Sequence, residues 1–172
     1  MQETSYISPI NLYNLFNLFD SGELIESDII QSIIISINIQ DNENLLGWTA
    51  LMYACNKGSL KLVKLLVEKG ADINIKSNDG WSLLKMATYK GHLNIVQYLV
   101  NIGHKLDEQD NWGWTALMEA SNNGDLNIVQ YLVEKGANIH IKNNEDKTAL
   151  KIASQKNYNE IVQYLKEKST SY

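Results

Sequence analysis

The chain has no arginine. All fifteen of its basic residues are lysine. Nucleic-acid binding asks for a continuous basic face. Here Lys57, Lys90 and Lys156 are interleaved with acids and the isoelectric point is about 5.2, so nucleic acid is not an expected partner. Cys55 is the only cysteine. It excludes an internal disulfide and fits a reducing compartment. With one cysteine, and with His92, His104 and His140 not spaced as a metal pair, no structural zinc is expected. The longest apolar cluster, Ile33 to Ile39, is broken by Ser36 and Asn38, and a membrane span needs ~18 residues. MQETSYISPI has neither a basic start nor a hydrophobic core, so a cleaved secretory signal is not expected. The glycines fall at turn positions and form no phosphate loop. No acid and base stand on loops around a pocket. An enzyme, a cofactor and a bound metal are therefore not expected.

The charge is unevenly spread. Residues 1–46 carry seven acids and no lysine; residues 47–172 carry thirteen acids and fifteen lysines. The acidic end reads first as a solubilising cap and second as a means of steering a basic partner. The abundance of Lys, Asn and Ile, which share AT-rich codons, reads as genome composition.

A segment of 33 residues recurs. Gly47, Gly80 and Gly113 open three full copies, and Asp146 opens a shortened fourth. A fixed period of this size means a stacked array with no central pocket, which moves the question from chemistry to binding. Thr49, Ser82, Thr115 and Thr148 each precede an apolar stretch. A hydroxyl there can accept from the free amides of a helix start. Leu51 and Ala54, with their counterparts in each copy, line a short helix that Gly58, Gly91, Gly124 and finally Asn157 end. A longer helix follows, with an apolar stripe of Leu60, Val63, Leu66 and Val67, repeated as Leu93, Val96, Leu99 and as Leu126, Val129, Leu132. Gly70, Gly103 and Gly136 close it, and turn-rich segments lead to the next copy.

These residues resemble the ankyrin repeat family: T-A-L-M, G-x-L-x-I/L-V-x-x-L and G-A-D/N-I-N/H recur in strict register over about residues 47–168. The resemblance implies an all-α ankyrin-repeat solenoid of helix, turn, helix and hairpin-like loop. One domain is expected over 1–172: a degenerate capping repeat at 10–46, full repeats at 47–79, 80–112 and 113–145, a C-terminal capping repeat at 146–168 and a frayed tail at 169–172. The family's usual Pro after the Thr is Ala50, Leu83, Ala116 and Ala149 here, and its usual His is Met52, Lys85, Met118 and Lys151. These changes are expected to weaken local rigidity without altering the fold. The second repeat diverges most, with Ser82, Thr88 and His104-Lys105-Leu106.

The family binds protein partners on its concave face, through loop tips, the residue before the Thr and the end of the short helix. Carried onto this chain, that implies Trp48, Trp81 and Trp114 before the Thr, Asp79, Asn111, Trp112 and Glu145 at the loop tips, and Tyr89 at a helix end. Trp48, Trp81 and Trp114 either bind or pack against the neighbouring repeat. Trp112 and Tyr89 have no equivalent in other repeats. Glu119 replaces Tyr53, Met86 and Ile152 at its offset; it either receives a Lys or Arg from a partner or is solvated. The implied function is a non-enzymatic protein-interaction module, expected to be monomeric and cytoplasmic. It acts as an adaptor or inhibitor, an immunity protein included. The alternative is a host-directed effector of a parasite, symbiont or virus, delivered into the host cell without a cleavable signal. The more distant one is a structural array with no specific ligand.

Overall fold

The computed structural model describes residues 46–170. The capping repeat expected over 10–46 lies outside the described residues, except for Leu46. So do residues 171–172. Eight helices follow one another among the described residues: α1 Ala50–Lys57, α2 Leu60–Glu68, α3 Leu83–Tyr89, α4 Leu93–Asn101, α5 Ala116–Asn123, α6 Leu126–Glu134, α7 Ala149–Gln155 and α8 Asn159–Ser169. The odd-numbered helices pack side by side as an inner row, and each packs on the even-numbered helix that follows it.

Local chemistry sets each helix start. Thr49, Ser82, Thr115 and Thr148 hold extended backbone, and their hydroxyls accept from the amides of Met52, Lys85, Met118 and Lys151, each at 3.3 Å. A cap of this kind contributes about 1 kcal/mol. Leu51, Leu84 and Leu117 are buried in the inner row, with Ala54, Ala87, Ala120 and Ala153 between helices. The small alanines let the helices approach closely.

The outer helices bury the expected stripe, displaced at its first member. Leu62, Val63 and Leu66 are buried, as are Ile95, Val96, Leu99 and Ile128, Val129, Leu132. Leu60, Leu93 and Leu126 are only half-buried. They sit at the first position of each helix, before the turn that faces the inner row. Each fully buried aliphatic side chain contributes about 1.5–3 kcal/mol by leaving water.

Loops between repeats are joined by a ladder. The Asn78 amide donates to the Leu46 carbonyl at 3.0 Å, Asn111 to Asp79 at 3.2 Å and Asn144 to Trp112 at 3.1 Å. The side-chain amides of Asn111 and Asn144 add bonds to the carbonyls of Asn78 and Asn111, at 3.0 and 3.1 Å. Gly113, at φ 77, shows why glycine opens a repeat: a Cβ there would stand 2.9 Å from the Asn144 backbone nitrogen. Asp146 fills the same offset at φ 56, and no described loop follows to press on it. Asp and Asn are the non-glycine residues that best tolerate this backbone, and Asn157, at φ 62, is the second case.

The final helix reaches Ser169, one residue into the stretch expected to fray. The hydroxyls of Ser169 and Thr170 donate to the carbonyls of Lys166 and Glu167, at 2.7 and 2.9 Å, and satisfy groups a helix end leaves open.

Candidate partner-binding face

Each loop tip is a tight turn held by one side-chain oxygen. Ser77 Oγ accepts from the Trp81 amide at 3.0 Å. Asp110 Oδ1 accepts from Trp112 and Trp114, at 2.9 and 2.8 Å. Asn143 Oδ1 accepts from Glu145 and Lys147, at 3.0 and 2.9 Å. All three side chains are buried. Such self-directed bonds fix the turn and leave the next residue at the tip. The tips are Asp79, Trp112 and Glu145, one period apart.

The tips differ in what they offer. Trp112 is 53% exposed, the largest exposed apolar side chain among the described residues. Asp79 is half-buried. Glu145 is exposed, but its carboxylate sits 2.5 Å from Lys147 Nζ, and that hydrogen bond holds its pKa below the usual carboxylate range. Asn111 is exposed, yet its amide is engaged by Asn78. Tyr89, at the end of α3, is 45% exposed and stands edge-on to Trp81, with ring centres 5.2 Å apart. Trp48, Trp81 and Trp114 are half-buried and pack against the core, Trp48 also edge-on to Tyr53 at 5.1 Å. The four tryptophans therefore do not form one exposed patch.

Glu119 is the main correction. It is neither solvated nor open to a partner's cation in the simple sense expected: it is buried, and its Oε2 lies 3.7 Å from Lys85 Nζ of the preceding repeat. Lys85 is buried too. It donates to Asp110 Oδ2, and its ammonium stands 4.4 Å from the centre of the Trp81 ring and 5.9 Å from that of Trp114. Lys85, at the offset of the family's usual His, ties the second repeat to the third through Glu119. Desolvation pushes the Glu119 carboxyl above the ordinary carboxylate range, Lys85 opposes that and Asp110 adds to it.

Sequence reasoning missed Lys85, the turn-holding column of Ser77, Asp110 and Asn143, and the ladder of Asn78, Asn111 and Asn144. The two columns were visible as acceptor-bearing residues at the 33-residue period. Lys85 had no such signal, because its partners lie 25 and 34 residues away, Asp110 at the far end of its own repeat and Glu119 in the next.

The three full repeats thus stack in register, each with a capped inner helix, an outer helix and a turn that carries a side chain at its tip. The family model described as ankyrin repeats in three copies matches residues 23–110 and 101–172. The chain belongs to the ankyrin repeat family. No curated protein matches it. Ankyrin repeats generally mediate protein–protein interactions, and the family is typically non-enzymatic.

Among the described residues no cluster of three or more His, Cys, Asp or Glu is placed to hold a metal, and no helix is long and apolar enough to cross a membrane. Cys55 is buried within the ankyrin core, and burial pushes its thiol pKa far up. A cavity of about 340 Å³ lies at the fourth repeat, lined among others by Leu150, Val162, Lys151 and Lys166. Leu150 and Val162 are half-buried there, whereas Leu51, Leu84 and Leu117 and Val63, Val96 and Val129 are buried under the next repeat.

Proposed function

We propose that this ankyrin array is a protein-binding module that acts as an adaptor or inhibitor, taking its partner on the face made by the loop tips and the exposed ends of the inner helices. The observation that carries this reading is Trp112. A tryptophan more than half exposed at a loop tip, with the turn beneath it held by buried Asp110, adds nothing to the core. Tryptophan buries much area with few rotors, so it is common among interface hot spots. Tyr89, at the end of α3 in the same repeat, is exposed as well and extends the same face. Trp48, Trp81 and Trp114 support it from below as packing, and Asp79, Asn111 and Glu145 form its polar rim.

The test is an affinity capture from source-cell lysate, with wild-type bait beside a Trp112→Ala/Tyr89→Ala bait. Both side chains are exposed, so the double variant keeps the fold. A protein held by wild type and lost from the variant supports the reading. Equal capture by both baits moves the binding site off this face.

A further inference from the structure

The fourth repeat ends the described array with the face that the other three keep covered. Leu51, Leu84 and Leu117 on the inner helices, and Val63, Val96 and Val129 on the outer ones, are buried. In the fourth repeat those offsets are Leu150 and Val162, half-buried, and they line the open groove of about 340 Å³. Lys151 and Lys166 line it too, and both are exposed. Lys166 stands where the other repeats carry Val67, Val100 and Val133. Among the described residues no carboxylate lines the groove. It is an aliphatic surface beside two cations.

The interior junctions show what such a surface accepts. The residue at the Lys151 offset is answered, 34 positions on, by a side chain of like chemistry on the next inner helix. Met52 is answered by Met86 and Met118 by Ile152. Lys85 is answered by Glu119, whose Oε2 lies 3.7 Å from its Nζ. By the same rule, what stacks on Lys151 brings a carboxylate. We propose that the end of the fourth repeat is a second docking surface, and that its occupant is a helix of a protein partner carrying Asp or Glu beside aliphatic residues. The carboxylates meet Lys151 and Lys166, and the aliphatic side chains cover Leu150 and Val162. Exposed ion pairs contribute little by themselves, so the aliphatic cover supplies most of the affinity and the lysines select the partner. This surface does not depend on the reading of the loop tips.

The test pans a phage-displayed library of random helical peptides against the full chain and measures the enriched peptides against variants. The wild type should enrich peptides with Asp or Glu among aliphatic residues. Lys151→Glu/Lys166→Glu should bind those peptides about tenfold or more weakly, and Val162→Ser should weaken them as well. Lys105→Glu/Lys135→Glu makes the same change in net charge elsewhere on the array, at two exposed lysines, and should leave their affinity unchanged. So should Trp112→Ala. If the Glu variant melts early by circular dichroism, Lys151→Gln/Lys166→Gln carries the test. The inference is overturned if no enriched peptide responds to the fourth repeat, which leaves the lysines as a solubilising cap. It is overturned too if the responsive peptides are basic, or if both charge reversals weaken binding alike. Wild-type chain that self-associates in sedimentation, and stops doing so in Lys151→Glu/Lys166→Glu, makes the occupant a second copy and overturns the foreign partner.

Discussion

The first repeat and the junction of the second and third use the same offsets for opposite chemistry. In the first, Met52, Tyr53 and Cys55 are buried apolar groups and Ala71 follows the second helix. At the junction those offsets hold Lys85, Glu119, Thr88 and Ser121, and His104 replaces alanine. The backbone is the same in both. The helix frame is therefore set by caps, small alanines and aliphatic stripes, and the remaining buried offsets are free to carry polar groups. A frame that does not need those offsets apolar tolerates polar groups buried inside it.

The sharpest break in this comparison is Lys85→Met. Methionine already stands at that offset as Met52 and Met118, so shape is preserved. The loss is electrostatic: Asp110 and Glu119 remain buried without their cation. Breaking a buried pair this way costs about 3 kcal/mol or more. Adding Glu119→Met should return only part of the stability, since one uncompensated group is then gone while Asp110 stays buried without its cation. Urea unfolding followed by circular dichroism reads both. A single variant as stable as wild type would mean that Lys85 contributes packing alone.

Two glycine substitutions separate crowding from backbone strain. Gly113→Ala meets both a left-handed φ of 77 and the Asn144 backbone nitrogen at 2.9 Å; Gly136→Ala has a φ of 96 and nothing within 4 Å of the new methyl group. The second should cost about 1–2 kcal/mol from conformation. The first should cost clearly more and open the loop ladder. Equal costs in thermal melts would show that the loops yield freely.

His104→Ala goes the other way. His104 is buried, its Nδ1 meets the Lys105 carbonyl and its Nε2 makes no well-formed hydrogen bond. Ala71 and Ala137 show that alanine fits. Removing an unsatisfied buried group should stabilise by about 1 kcal/mol. Desolvation holds the His104 pKa below its ordinary 6.5, so the folded state resists protonation. Its stability is then full above pH 6.5 and falls as pH drops through the lowered value. The variant should lose that part of the acid sensitivity, seen as a smaller gap between melting temperatures at neutral and mildly acidic pH.

The array was legible because its determinants are local and periodic. Thr49 and its counterparts, Gly58 and its counterparts, and the buried Val63, Val96 and Val129 each announce themselves within one repeat. What hid was neighbour-specific. Lys85 looks like an exposed helix residue until the loop after α4 supplies Asp110 and the next repeat supplies Glu119. Trp81 and Trp114 are half-buried and pack against the core, which the 33-residue period does not show. The first buried member of the outer stripe is Leu62, with Leu60 half-buried at the helix start. Trp112 stood out because no other repeat carries an aromatic at that tip.

The smallest expected effect is a difference in opening between the second repeat and the third, which both have neighbours on either side. Of the buried side-chain atoms that lack a hydrogen-bond partner, Trp81 Nε1, Thr88 Oγ1, His104 Nε2 and Glu108 Oε2 all lie in residues 80–112, against Ser121 Oγ and Asn143 Nδ2 in residues 113–145. In an array whose stability is roughly a sum of repeats and interfaces, such local deficits lower the free energy of local opening. The Lys85 bridge does not reverse this, because it spans the interface and strengthens both repeats alike. Native-state hydrogen exchange should therefore show amides of α3 and α4 exchanging before those of α5 and α6. In His104→Ala the gap should narrow, since one deficit is removed. The opposite order would mean that the bridge outweighs the unsatisfied groups, and that the polar junction is the rigid centre of the array.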